Sequence, residues 1–167
     1  MKAECDIKQL SRAAALVGRL SEPRSSIALL GCILIEAKDG GLTLSATDQQ
    51  SGLRTALGSE WAAVEEPGSV AVPAKILTDL LSSLAGSKAV RDGSGTRLGI
   101  EKDASSGTLV LTDGAGHAYR LRVHEADDFP LIHTLESASA ETGAALSEAL
   151  TDIVARFAVH FASRIPA

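Results

Sequence analysis

Lys2-Ala3-Glu4-Cys5-Asp6-Ile7-Lys8-Gln9-Leu10-Ser11-Arg12-Ala13-Ala14-Ala15-Leu16-Val17-Gly18-Arg19-Leu20 is the stretch that decides the fold. Lys2–Cys5 alternates polar and apolar, the period-two signature of a strand. Asp6 can cap a following helix, with Gln9 three residues on completing a capping-box-like pair. From there Leu10, Ala13, Ala14, Val17 and Leu20 recur at helical spacing and gather on one side. The pattern predicts a helix to Leu20, stopped by Ser21-Glu22-Pro23. On its other side lie Lys8, Arg12 and Arg19. At about 100° per residue, Arg12 and Arg19 sit about 40° and about 20° round from Lys8. Such a helix can be fixed to a sheet by one face while the other shows cations to an anionic partner.

The same order recurs further along. Ile27–Glu36 reads as a strand ending at the turn Lys38-Asp39-Gly40-Gly41, and Leu42–Ala46 and Gly52–Leu57 alternate as two more. Pro67-Gly68 then makes a turn, Ser69–Val72 a strand, and Pro73 occupies the favoured first position of a second helix. That helix, Ala74–Leu84, has Ile76, Leu77, Leu80, Leu81 and Leu84 on one side and Lys75, Thr78, Asp79 and Ser82 on the other. Strands follow at Ala89–Arg91, Arg97–Lys102, Thr108–Thr112 and Ala118–Val123, with Gly93-Ser94-Gly95 and Gly114-Ala115-Gly116 as hairpin turns. Strand, helix, strands occurs twice, an internal repeat of pattern. The fold class is α+β: a pseudo-twofold repeat of strand, helix and three strands, with two helices packed on antiparallel sheets. Residues 1–135 form this first domain and 136–146 a linker and first strand. In 147–167 Ser147 can cap a helix Glu148–Phe161 that begins a third copy, with Leu146, Leu150, Ile153, Phe157 and Phe161 on one face.

Composition narrows the function. The 167 residues carry a formal net charge of -5 and are 45% hydrophobic but only 3% aromatic, so Leu, Ile, Val and Ala must build the core. In an acidic chain, a basic row on one helix face is placed charge. Cys5 and Cys32 lie in apolar strand-like runs and read as buried free thiols of a reducing compartment. No apolar run approaches the roughly 20 residues that cross a bilayer, and the N-terminus lacks a signal-peptide core; a cytoplasmic protein is expected. His117, His124, His133 and His160 are scattered without ligand spacing. Glu125, Asp127 and Asp128 do not make a paired general acid and base. Neither glycine cluster is a phosphate loop, and no nucleophile elbow occurs. No catalytic residue, metal or cofactor is expected.

Several motifs, in order and at the right spacing, resemble the bacterial sliding clamp, the beta subunit of DNA polymerase III. They are the opening strand and helix, Ile27-Ala28-Leu29-Leu30-Gly31-Cys32-Ile33-Leu34-Ile35-Glu36, Leu42-Thr43-Leu44-Ser45-Ala46-Thr47-Asp48, Gly52-Leu53-Arg54-Thr55, Glu66-Pro67-Gly68-Ser69-Val70-Ala71-Val72-Pro73-Ala74-Lys75, and Asp127-Asp128-Phe129-Pro130-Leu131. The resemblance implies a clamp-fold domain from a ring of six, built by two three-domain chains, with helices lining a hole through which duplex DNA passes. It implies a non-catalytic processivity factor that tethers DNA polymerase III, is placed by a clamp loader, and assembles as a homo-oligomer. Carried over by position, Lys8, Arg12, Arg19, Arg24 and Lys75 would face DNA independently of sequence. Ile76, Tyr119 and Leu121 would pack on the third domain of a partner subunit. The family's pocket for polymerase peptides lies between domains two and three and is expected to be missing from these 167 residues.

The chain departs from the family pattern in three places. Ala85–Gly107 is longer and more polar, Lys75 shares its helix face with Asp79, and Glu148, Asp152 and Arg156 make the third helix net negative. A second reading is a short clamp-like interaction protein whose open edge strand pairs with itself or with a full-length clamp. A third, a small-molecule enzyme, is disfavoured for want of converging polar residues.

Overall fold

The computed structural model describes residues 1–38, 40–103 and 106–130. They belong to a compact unit spanning Met1–Ile132. The expected linker and third helix fall outside the described residues.

Strand β1 (Lys2–Asp6) buries Ala3 and Cys5 and exposes Lys2 and Glu4, as its alternation requires. Helix α1 (Ile7–Val17) starts where Asp6 accepts the Gln9 amide at 2.9 Å. It buries Ile7, Leu10, Ala13, Ala14 and Val17. The α-helix ends earlier than its apolar pattern predicts: Gly18–Leu20 is a tighter 3-10 turn. A Cβ on Gly18 would lie 3.2 Å from Thr78 Cγ2, so glycine lets the helix end close against its neighbour. Ser21 then bonds back to the Gly18 carbonyl through its amide, at 3.2 Å, and its hydroxyl, at 2.7 Å.

The run Ile27–Glu36 is not one strand. Ala28–Gly31 is a 3-10 turn, and β2 begins only at Cys32 (Cys32–Lys38). The Leu30 carbonyl accepts the Glu22 amide at 2.7 Å, which commits this backbone to the returning loop instead of a sheet. A continuous apolar run carries no period that distinguishes the two. Strands β3 (Gly41–Thr47) and β4 (Gly52–Leu57) follow as expected. An unexpected β5 (Ala62–Glu66) precedes β6 (Gly68–Pro73). Pro73 closes β6 opposite Cys32, one residue ahead of α2 (Ala74–Ala85). Residues 89–91, expected as a strand, belong to a short helix α3 (Lys88–Arg91) capped by Ser87, so Gly93-Ser94-Gly95 joins a helix to a strand instead of closing a hairpin. β7 (Arg97–Asp103), β8 (Thr108–Asp113) and β9 (Ala118–Arg122) complete the unit.

The sheets explain the repeat. One runs β5-β1-β7-β8-β9 and the other β4-β3-β2-β6, each joined by antiparallel pairs. Each half sends its first strand to the other half's meander. Thus Ala3 faces Ile100 and Cys5 faces Leu98 across β1–β7, while Ile33 faces Val72 and Ile35 faces Val70 across β2–β6. Neither half can complete its sheet alone. Helix α1 contacts β3 and β4, α2 contacts β2 and β6, and the two helices touch. The core they share is aliphatic: Leu10, Ile33, Ile35, Leu42, Leu44, Leu77, Leu81, Leu98, Ile100, Leu109 and Leu111 are all fully buried. Each such side chain contributes about 1.5 to 3 kcal/mol by leaving water. A smaller cluster, Cys32, Ala71 and Phe129, packs with Leu29 and Leu34. There His124 bridges to Ala71 of β6, with amide-to-carbonyl distances of 2.8 and 3.1 Å.

Candidate nucleic-acid interface

With its apolar side fixed to the sheet, α1 leaves Lys8 and Arg12 exposed, and Arg19 is exposed on the 3-10 turn that follows. A 3-10 turn advances about 120° per residue, so Arg19 lies about 60° round from Lys8 and the row broadens without changing side. Arg24 is exposed in the next loop. Residues 7–21 contain no Asp or Glu.

Several cations elsewhere are held by carboxylates, Lys2 by Glu65 at 2.6 Å, Lys102 by Glu125 at 2.8 Å, Arg54 by Glu36 at 3.6 Å and Arg97 by Glu4 at 3.9 Å, while Lys88, Arg91, Arg120 and Arg122 have no carboxylate within 4.0 Å among the described residues. Among the described residues, Lys8, Arg12, Arg19 and Arg24 have no carboxylate within 4.0 Å. Lys75 differs: it stands at the start of α2 with its Nζ 3.2 Å from Asp79 Oδ2. The spacing is i,i+4, and both side chains are exposed, so the pair is worth about 0.3 to 0.5 kcal/mol and adds no net charge. The second helix therefore supplies little to a cationic face.

The residues expected at a subunit contact fall into two kinds. Ile76 is 55% exposed on α2, while Tyr119 and Leu121 on β9 are half-buried and pack against the core. Tyr119 donates its hydroxyl to Asp113 Oδ2 at 3.2 Å. Asp113 also accepts the amides of Ala115 and His117 at 3.0 and 2.9 Å and lies 2.9 Å from His117 Nδ1. Partial burial pushes the Asp113 carboxyl up, but the bonds from His117 and Ala115 outweigh this and hold it below the usual carboxylate range. Burial, and then the Asp113 charge, raise the Tyr119 hydroxyl. This latch closes the β8–β9 turn, and its sequence signal is an Asp immediately before Gly.

Sequence reasoning did not single out Leu16 and Trp61, which are 46% and 41% exposed and flank one open cleft with Gln9, Arg12 and Glu60. It also passed over Arg120 and Arg122 on β9. Cys5 and Cys32 are free and buried, and burial pushes the Cys5 thiol up to about 12. Among the described residues, no three His, Cys, Asp or Glu side chains gather as a metal site, and no helix is long and apolar enough to cross a membrane.

The described unit is thus an antiparallel α+β fold whose first helix, the 3-10 turn after it and the next loop carry unpaired cations. Residues 1–133 match the N-terminal domain of the DNA polymerase III beta subunit. Over 140 residues, 81% of this chain and 33% of the relative, the sequence is 32% identical to a beta sliding clamp of Synechocystis sp.. The fold superposes on the DNA polymerase sliding clamp of Caulobacter crescentus with a TM-score of 0.68 and 25% identity, over 80% of this chain and 33% of that one. On the Bacillus subtilis clamp the TM-score is 0.71 at 20% identity, over 81% and 34% of the two chains, a likeness that bears on fold alone. The chain belongs to the DNA polymerase III beta subunit family. It spans about one third of the length of the relatives it matches.

Proposed function

We propose that this chain supplies the first domain of a DNA sliding clamp, a non-catalytic module that holds duplex DNA by its phosphates. The observation that carries the reading is the exposed and unpaired row Lys8, Arg12, Arg19 and Arg24 on a protein of net charge -5. Cations on a helix fixed from behind meet a polyanion without reading base edges, as a contact that must slide requires. In the assembled clamp, DNA polymerase III and a clamp loader are the protein partners. The side bearing Ile76, Tyr119 and Leu121 is the subunit contact.

Fluorescence anisotropy with a labelled duplex tests this. Replacing Lys8, Arg12 and Arg19 together by Glu abolishes binding while the circular dichroism spectrum stays unchanged. Binding that survives the triple replacement refutes the assignment.

A further inference from the structure

The cleft beside the cation row has α1 on one side, with Arg12 and Leu16, and the β4–β5 turn on the other, with Glu60 and Trp61; β4 lines it at Ala56. At about 100° per residue, Leu16 lies about 40° round from Arg12, on the side away from Lys8. The cleft therefore runs along the flank of the row. Trp61 is the chain's only tryptophan. It is 41% exposed and Leu16 46%, so an aromatic face and an aliphatic side chain stand half open to water. The Trp61 backbone is tied down at both ends. Its carbonyl accepts the amide of Asp6, the residue that caps α1, at 2.9 Å, and its amide donates to the Gly58 carbonyl at 2.9 Å. The indole is thus anchored to the start of the helix that carries Arg12. Arg12 has no carboxylate within 4.0 Å among the described residues. Glu60, the acid of the cleft, folds its carboxylate over Gly58, into the space that a Cβ there would take. A free guanidinium and an open aromatic face thus share one cleft.

We infer that this cleft holds an unpaired base of single-stranded DNA, stacked on Trp61 beside Leu16, with an adjoining phosphate on Arg12. The inference rests on the reading of the row as the phosphate-facing side and names the form of DNA that its flank takes. A duplex keeps its base faces stacked on one another, so it reaches Arg12 by phosphate and offers Trp61 nothing to stack on. An unpaired strand offers both groups at once, a charged backbone and an apolar ring face. An apolar peptide would cover Trp61 and Leu16 but leave Arg12 without a counter-charge. Stacking on an aromatic ring tolerates every base, so the contact does not halt a strand at particular sequences. The unit then meets duplex through the row and, where the strands part, the unpaired strand through the cleft.

The sole tryptophan reports on its own site. The full 167-residue chain is titrated at low salt with oligothymidylate of about ten nucleotides, an abasic strand of the same length, and a duplex. Tryptophan emission and the anisotropy of labelled DNA are both followed. Oligothymidylate is expected to quench Trp61, and the duplex to quench it far less. The abasic strand should bind about tenfold more weakly than oligothymidylate. Trp61→Leu should lower oligothymidylate affinity about tenfold, Trp61→Phe should keep most of it, and duplex affinity should not change in either. Equal affinity for the abasic strand, or no loss in Trp61→Leu, overturns the stacked base. Equal quenching by the duplex assigns the cleft to backbone contact and overturns it too. Emission that shifts with protein concentration alone places a second copy on Trp61 and overturns the inference. A short apolar peptide that quenches Trp61 where oligothymidylate does not assigns the cleft to protein, with the same result. Duplex binding without any of the single-strand effects removes the cleft and leaves the row standing. Duplex binding indifferent to Lys8, Arg12 and Arg19, with oligothymidylate still quenching Trp61, removes the row and supports the stacked base.

Discussion

Each phosphate neutralised by a cation releases condensed counterions, so the number of contacts can be counted from salt dependence. The four unpaired cations of the row, Lys8, Arg12, Arg19 and Arg24, set a ceiling of four contacts from that side of the unit. That ceiling gives a slope of log affinity on log salt of about -3.6, so raising salt from about 50 to about 200 mM lowers affinity about 150-fold. Arg12→Gln removes one contact from an exposed helix position and should leave the fold intact. Its slope becomes about -2.7, and at about 0.1 M salt its affinity falls about eightfold. Anisotropy titrations of a labelled duplex at four or more salt concentrations, for both proteins and two unrelated sequences, supply every term. Affinities that differ strongly between the two sequences, or a slope that Arg12→Gln does not change, would refute the picture of a phosphate-facing row.

Removing Lys75 and Asp79 together takes away an exposed pair of zero net charge, so duplex affinity in the same assay should stay within about twofold of the wild type; an eightfold loss would mean Lys75 leaves Asp79 to contact phosphate. Asp6→Ala removes the cap that accepts the Gln9 amide and should cost about 1 kcal/mol, read as a lower denaturation midpoint in urea with an unchanged slope. The Asp113 carboxyl is held below its usual range when folded, so its stabilising contribution is full above the unfolded pKa and is lost as pH falls through the folded one. Thermal melts of Asp113→Asn should therefore be less steep with pH on the acid side than those of the wild type, and parallel acid limbs would contradict the latch.

The elements readable in advance were those whose side chains alternate between environments. β1, β3, β4, β7, β8 and β9 each set polar against apolar at period two, and α1 and α2 each gather an apolar stripe. Where that signal was missing, the reading failed. The Ile27–Glu36 run is apolar throughout, so the 3-10 turn inside it was invisible. β5 ends in Glu65 and Glu66, which look like a loop; β1 pairs with Glu66 and the register skips Glu65. The sequence pattern also shows which face a residue takes but not which strand it sits beside. That is why the exchange of β1 and β6 between halves, and the open edge carrying Arg120 and Arg122, emerge only from the pairing. At the site, the angles of Lys8 and Arg12 followed from helix geometry and held. Arg19 moved because Gly18–Leu20 is a 3-10 turn, lying where Gly18 comes close against Thr78, a tertiary contact no local rule contains. The pairing of Lys75 with Asp79 was legible as an i,i+4 spacing.

Mapping amide chemical-shift changes in the isotope-labelled chain, as a duplex of arbitrary sequence is added at low salt, tests the placement of the row most directly. The account predicts changes along the exposed side of α1, through Gly18–Leu20 and at Arg24, reversed by added salt. Changes centred on Arg97, Arg120 and Arg122 of the sheet, with α1 silent, would contradict it.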